Sequence, residues 1–245
     1  MRIALETCAR SLMAGCVLLA ACGSPDRITG SGTIDERVVP VAGFDRLQTC
    51  CGFQVEVTSG SSSNLRITGD DNIIAAIQVT SSNGLLELYI DRDYDPTQPV
   101  QITVATEGLR AVSASGGSRV TVDGQASQAL DITVSGGTRL FLTDATFDSV
   151  DAGASGGSSV SLLDSSVGAQ TVGMSGESVL DAATVESERV DLSMSGGSRA
   201  TVWVSEALAV DASGGSTVEY YGDPADVDQS LSGDSTVTRL GSAPP

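Results

Sequence analysis

The residues with the plainest chemical capacity in this chain are hydroxyls on a fixed period. Ser118, Thr138, Ser158, Ser178, Ser198, Ser216 and Ser235 each lie three residues after the serine of a Ser-Gly step. Those steps begin at Ser115, Ser135, Ser155, Ser175, Ser195, Ser213 and Ser232, at intervals of 20, 20, 20, 20, 18 and 19 residues. An array of serines is an array of nucleophiles only where a neighbouring base takes the proton. The chain has no histidine, and its 13 basic residues are all arginine. The structural reading is favoured: hydroxyls that hydrogen-bond along a stack and to corner amides. Carboxylates recur too. Asp131, Asp151 and Asp191 stand four before the serine, and Asp123, Asp144 and Asp164 eight or nine after it. A carboxylate column repels itself unless it is solvated or bridged by Ca²⁺. Solvated faces are the favoured reading, with Asp131, Asp151 and Asp191 as the weak Ca²⁺ candidates. Cys50 and Cys51 are adjacent, with Cα atoms about 3.8 Å apart, below the usual disulfide span. Cys51 is expected in the core, with Cys50 facing out and locally bridged or free. A redox or metal role would need partners that the sequence does not supply.

The elements that position these groups follow from alternation. Three before each Ser-Gly serine stand Val112, Ile132, Ala152, Val172, Leu192, Val210 and, breaking the pattern, Gln229. Five after it stand Val120, Leu140, Val160, Leu180, Ala200, Val218 and Val237. Apolar residues alternate on both sides of the step, which is strand periodicity. Gly-Gly, Gly-Glu or Gly-Asp forms the corner. One such unit is too thin to bury a core, so units must stack. The fold class expected is all-β: a single-stranded, right-handed parallel β-helix, or β-solenoid, with coils of about 20 residues. Arg119, Arg139 and Arg199 share one outward position, where pairing with Asp neighbours is expected to be weakly stabilising. Trp203 lies between inward Val202 and Val204 and is expected to face out, as a carbohydrate platform or a packed contact.

The amino terminus opens MRIALETCARSLMAGCVLLAAC. Arg2 and Arg10 precede a short apolar run, Ser11 to Ala21, too short to span a bilayer. It reads as a secretory signal peptide over 1–21. Leu19-Ala20-Ala21-Cys22 resembles the bacterial lipobox. That resemblance implies a diacylglyceryl thioether on Cys22 and an acylated new amino terminus. It also implies a membrane partner reached through the lipid and, with no Asp after Cys22, the outer membrane where the cell has one. Residues 22–32 are Gly/Ser-rich and serve as a tether.

Residues 33–110 are strand-like but irregular, and 111–240 carry the regular repeats, with 241–245 as a tail. Asn83-Gly84 is a tight-turn signal. Asp70-Asp71-Asn72 before IIAAI reads as a capped helical turn, and 91–99 as a loop. The whole reads as one continuous solenoid. VAGFDRLQTCCGFQVEVTSG, LRITGDDNIIAAI, NGLLELYI, the SGGS series and the closing YYGDPADVDQSLSGDSTV together resemble the head GIN domain family ("putative auto-transporter adhesin"), over roughly Gly32 to Leu240. The resemblance implies a β-helix on a secreted or envelope-anchored bacterial protein and supplies no catalytic residues. The adjacent cysteines depart from its pattern.

The chain carries 31 acidic residues and a net charge of −18. Without residues 1–21 the net charge is −19. Nucleic acid is thereby disfavoured as a partner, and cations or basic surfaces are not. The function expected is a non-enzymatic envelope lipoprotein, without cofactor, whose solenoid presents a binding, adhesion or scaffold surface toward a protein or glycan. One alternative is a polysaccharide-active β-helix enzyme, a lyase or glycosidase using Asp residues. Another is a self-assembling scaffold stacked end to end. Against free polymerisation, Pro224 and the final residues are expected to cap the last coil.

Overall fold

The chain's computed structural model describes residues 27–61 and 63–245. Residues 1–21, expected to be a signal peptide, and Cys22 lie outside the described residues. Strands make up most of the described part, and helix almost none of it. The one helical turn is α1, Asp71–Ile74.

The repeat region is a parallel β-solenoid. Its strands are β10 (Ala111–Ala114), β11 (Arg119–Asp123), β12 (Ala126–Val134), β13 (Arg139–Thr143), β14 (Thr146–Ala154) and β15 (Ser159–Leu163). Then come β16 (Ser166–Met174), β17 (Val179–Met194), β18 (Arg199–Ala212), β19 (Thr217–Tyr221), β20 (Asp226–Leu231) and β21 (Thr236–Gly241). Alternation puts every second side chain inside, and a fixed repeat length puts equivalent side chains above one another. One ladder runs Val120, Leu140, Val160, Leu180, Ala200, Val218, Val237. Its members through Val218 are no more than 1% exposed. The opposite ladder runs Val112, Ile132, Ala152, Val172, Leu192, Val210, Gln229. These columns are the hydrophobic core, and burying them is the main drive for stacking.

The first part departs from a simple winding. It comprises β1 (Ile28–Thr29), β2 (Ile34–Pro40), β3 (Arg46–Thr49), β4 (Gln54–Ser59), β5 (Asn64–Asp70), β6 (Gln78–Ser82), β7 (Leu85–Tyr89), β8 (Tyr94–Asp95) and β9 (Gln101–Thr106). The coil of β3 and β4 pairs with β10 and β11 on one side, and with β7 and β9 on the other. The coil written later in the sequence therefore lies outside the earlier one. Beyond it the pairing turns antiparallel: β5 on β9, β2 on β5, β6 on β7. Helix α1 buries Ile73 and Ile74 over this end. Antiparallel strands and a helical turn thus close the stack.

The other end is open. The segment expected to cap it instead adds one more coil, with β20 on β18 and β21 on β19. The Ser-Gly-Asp-Ser corner at 232–235 keeps the repeat geometry, so the chain propagates the ladder rather than crossing it. All six residues of β20 are exposed, among them Val227 at 40% and Leu231 at 41%.

Candidate functional site

Each repeat turns at a Ser-Gly corner. Ser118, Thr138, Ser158, Ser178, Ser198, Ser216 and Ser235 donate their hydroxyls to the carbonyl oxygens of Ser115, Ser135, Ser155, Ser175, Ser195, Ser213 and Ser232, at 2.7–2.8 Å. The expected bonding along the stack and to corner amides is found at one corner, where Ser235 Oγ accepts from Ser216 N at 3.2 Å; as donors, all the hydroxyls close the corners of their own coils. Between coils the backbone does the work, as in Ser155 N to Val134 O at 3.0 Å. A hydroxyl proton held by a carbonyl three residues away, with Ser158 and Ser198 fully buried, is not poised for nucleophilic attack.

Two glycines share the corner on different terms. At the first, φ is +69 at Gly196, and an added Cβ would meet Gly176 N at 2.9 Å. At the second, Gly117, Gly137 and Gly157 have open space around a Cβ. There Glu177 and Asp234 adopt φ of 63 and 62.

The register assigns Cys50 and Cys51 a place that the sequence pattern disguises. Ser115 N bonds to Thr49 O, and Arg119 N to Phe53 O. Cys50-Cys51-Gly52-Phe53 therefore stands where Ser115-Gly116-Gly117-Ser118 stands one coil on. A disulfide joins the two cysteines. Both are half-buried; Cys51 packs against the core as expected, but the pair forms a corner and not a stretch of strand. Cys51 has φ +74, at the glycine position. Phe53 replaces the corner hydroxyl, is fully buried, and packs 6.0 Å from the Tyr94 ring. The Tyr94 hydroxyl donates to Cys51 O at 2.5 Å. Burial pushes the Tyr94 pKa up to about 12.

Asp70 does not cap α1 with its side chain. Its fully buried carboxylate accepts from Gly32 N at 2.8 Å, Thr97 N at 2.8 Å and Thr97 Oγ1 at 2.8 Å. It ties the approach to β2 and the 91–99 loop to the end of β5. Burial on its own would raise its pKa. The hydrogen bonds from Thr97, Gly32 and its own amide outweigh that and hold it below the ordinary 3.8.

The outward faces hold the remaining candidates. Asp131 and Asp151 are ladder partners, but Thr171 separates Asp151 from Asp191. Among the described residues no group of three or more His, Cys, Asp or Glu is placed to hold a metal. Asp123, Asp144 and Asp164 do not form one column. Asp123 pairs with Thr143, whereas Asp144 and Asp164, both at φ 49, take the turn position that Gly124 fills at φ 64. Arg119 and Arg139 are direct ladder partners, and Arg199 lies beyond Ser159 and Val179 in the same row. The expected Asp partners are absent among the described residues. Instead Arg119 lies over the Phe141 ring, 5.0 Å from its centroid. Trp203 faces out, half-buried, with Glu186 and Tyr221 as its ladder neighbours.

A cleft of about 670 Å³ lies among Phe44, Asp45, Gly60, Gly84 and Glu107, and its Asp45 already faces Arg46 and Arg110. A hollow of about 240 Å³ on the face of β9, β4 and β11 is lined by Gln54, Glu56, Gln101, Thr103, Arg119 and Thr121. Sequence reasoning passed over Asp70, read as a helix cap, and the Gln54 and Gln101 pair. The alternation of β4 and β9 marked those glutamines as outward, but only the register makes them neighbours.

The family described as "Putative auto-transporter adhesin, head GIN domain" matches residues 43–224. No curated protein matches. A crystal structure described as that of a "putative adhesin" from Bacteroides fragilis NCTC 9343 superposes with a TM-score of 0.80 at 22% identity, covering 87% of this chain and 100% of that one. A "putative lipid binding protein" from Parabacteroides distasonis ATCC 8503 gives 0.72 at 15% identity, covering 87% of this chain and 99% of that one. A "putative adhesin" from Parabacteroides merdae ATCC 43184 gives 0.68 at 16% identity, covering 88% and 99%. At these identities the likeness is one of fold.

Proposed function

The chain belongs to the head GIN domain family, and we propose that it is a non-enzymatic, adhesin-like protein of the bacterial cell envelope. In this reading residues 1–21 are a signal peptide, Cys22 carries the lipid anchor in the outer membrane, and the tether is shorter than the expected 22–32, because Ile28–Thr29 pairs with Tyr94–Asp95 and Gly32 N bonds to Asp70. The binding surface is the outward face of the solenoid. The observation that carries the reading is the use made of the repeated hydroxyls. All seven close the corners of a rigid stack, so the repeat builds a surface and not a row of nucleophiles. Such a stack presents a broad, pre-organised face, which suits binding because little is ordered on contact.

The test has two parts. Mass spectrometry of the membrane fraction is expected to find an amino terminus at Cys22 carrying acyl mass, and Cys22→Ala to be unprocessed or released. Cells displaying the protein are expected to bind glycan- or protein-coated surfaces without turnover of the coating. An unmodified amino terminus removes the anchor from the proposal. Turnover that one Asp substitution abolishes replaces the adhesin-like reading with an enzyme.

A further inference from the structure

We infer that the hollow beside Arg119 and Arg139 is a binding site for an acidic saccharide, one that presents a single carboxylate among neutral sugars. The inference rests on the adhesin-like reading above and names the ligand class of that surface.

The argument begins with register. Arg119 and Arg139 are paired across β11 and β13, on neighbouring strands about 4.8 Å apart. Both side chains are exposed. Like charges directly opposite one another in a ladder repel, and neither has an ion-pair partner among the described residues. The chain carries far more carboxylates than guanidiniums, and Glu56 lies in the same hollow, yet no carboxylate forms an ion pair with either arginine among the described residues. An anionic oxo group lying across both would relieve the repulsion and accept from both guanidiniums.

Arg119 is also oriented. Its guanidinium lies over Phe141, with Cζ 5.0 Å from the ring centroid, and it donates no hydrogen bond within the protein among the described residues, so its N–H groups remain to donate to a ligand. Beside it, on β4 and β9, stand Gln54 and Gln101, themselves ladder partners, with Thr103 and Thr121. None of these four side chains makes a hydrogen bond within the protein among the described residues. Amides and hydroxyls offer donors and acceptors together, which is what vicinal sugar hydroxyls require. Glu56 completes the hollow. It accepts from hydroxyls and repels a second anion placed close by. Together with the strongly negative net charge, it disfavours a densely charged polyanion. The ligand that fits has one carboxylate for the arginines and neutral hydroxyls for the rest.

Arg199 supplies an internal control. It holds the same place in the repeat, but its ladder neighbours are Val179 and Thr217.

The experiment uses the full chain in calorimetric titrations. The probes are a trisaccharide with one uronic acid between two N-acetylhexosamines, its carboxyl-reduced form, inorganic phosphate, and vesicles containing an anionic phospholipid. The acidic trisaccharide is expected to bind and the other three to bind at least about tenfold more weakly, the scale of one lost charge-assisted pair. R119Q/R139Q is expected to lose about tenfold or more of that binding, R139Q alone to lose part of it, and R199Q to leave it unchanged. The urea midpoints of the variants verify that they are folded. The site assignment is overturned by equal binding of the reduced sugar, by phosphate or vesicles binding as well, by R199Q losing as much as R119Q/R139Q, or by no binding of the acidic sugar. Adhesion of displaying cells separates the two levels. If R119Q/R139Q cells adhere as well as the wild type, the site is wrong and the adhesin-like reading stands. If wild-type cells adhere to nothing, that reading fails as well.

Discussion

Gly196 and Asp70 hold their parts of the molecule by different means. Around Gly196 the stack depends on the absence of a side chain: one coil approaches the next so closely that a Cβ would meet the backbone amide of Gly176. Around Asp70 the closed end depends on the presence of one, a buried carboxylate that ties Gly32 and Thr97 to the end of β5. The repeat propagates through recurring backbone contacts and, beside its apolar columns, uses one hydroxyl at each corner. The first part must stop propagation. It does so with antiparallel strands, a helical turn and specific polar groups, which a repeat cannot provide.

The largest effect is expected at the first corner glycine. Gly196→Ala places a side chain at φ +69 and against backbone at 2.9 Å. The left-handed conformation costs about 1–2 kcal/mol, and the forced backbone shift about 1–3 kcal/mol more. Gly197→Ala meets only the end of the Glu177 side chain at 3.9 Å, so it should cost about 1–2 kcal/mol from conformation alone. Urea unfolding measures both. Equal losses would mean that close stacking of corners is not what holds the coils together.

The next contrast uses pH. Because the folded pKa of Asp70 lies below its ordinary 3.8, its contribution is present above about pH 3.8 and lost as pH falls through the folded value. Asp70→Asn is expected to lower stability at neutral pH and to flatten the acid limb. Tyr94 acts at the other extreme. With its folded pKa at about 12 against an ordinary 10.0, stability is unaffected below pH 10 and falls as pH rises toward 12. Tyr94→Phe should remove that alkaline decline, at the loss of the bond to Cys51 O. Unfolding midpoints between pH 2 and 5, and between pH 9 and 12, read the two variants. An unchanged acid limb in Asp70→Asn would break the claim that one carboxylate fastens this end.

A smaller effect is expected from the corner hydroxyls. Ser198→Ala removes one bond to Ser195 O and leaves that carbonyl short of one donor, a loss of about 1 kcal/mol. The same substitution at Ser235, in the exposed last coil, removes the bond to Ser232 O and the bond accepted from Ser216 N, but should cost less, because water can replace the hydroxyl for both partners there. Equal losses at the two sites would show that burial does not set the worth of these bonds.

What was legible in the sequence follows the same division. Val120, Leu140 and Val160 could be assigned to one column because alternation and a 20-residue step are local facts. The obligatory and replaceable glycines were also visible, as SGGS beside SGES and SGDS. The stack order was not. That β3 pairs with both β7 and β10 is a long-range choice between similar apolar strands, and nothing in their composition encodes it. The corner at Cys50-Cys51-Gly52-Phe53 was hidden because three of its four residues differ from Ser-Gly-Gly-Ser. Of the candidate site, the outward place of Arg119 and Arg139 was readable. The partner of Arg119 was not: its ring belongs to the following coil.

The finest test lies inside the stack. Gln170 occupies a column whose other members are Leu130, Val150, Val190, Leu208 and Val227. It is 1% exposed. Its Nε2 donates to Ser187 Oγ at 2.8 Å, but its Oε1 has no partner among the described residues. A buried acceptor without a donor costs about 1–3 kcal/mol, whereas one amide bond contributes about 1 kcal/mol. Gln170→Leu removes both, and Ser187 still donates to Val167 O at 2.7 Å. The variant is therefore expected to gain up to about 1 kcal/mol in urea unfolding. A gain would show that the interior of the repeat asks only for apolar volume, in contrast to the polar fastening at Asp70. A loss would place a polar requirement inside the regular stack as well, and would narrow the difference between its two parts to the corners alone.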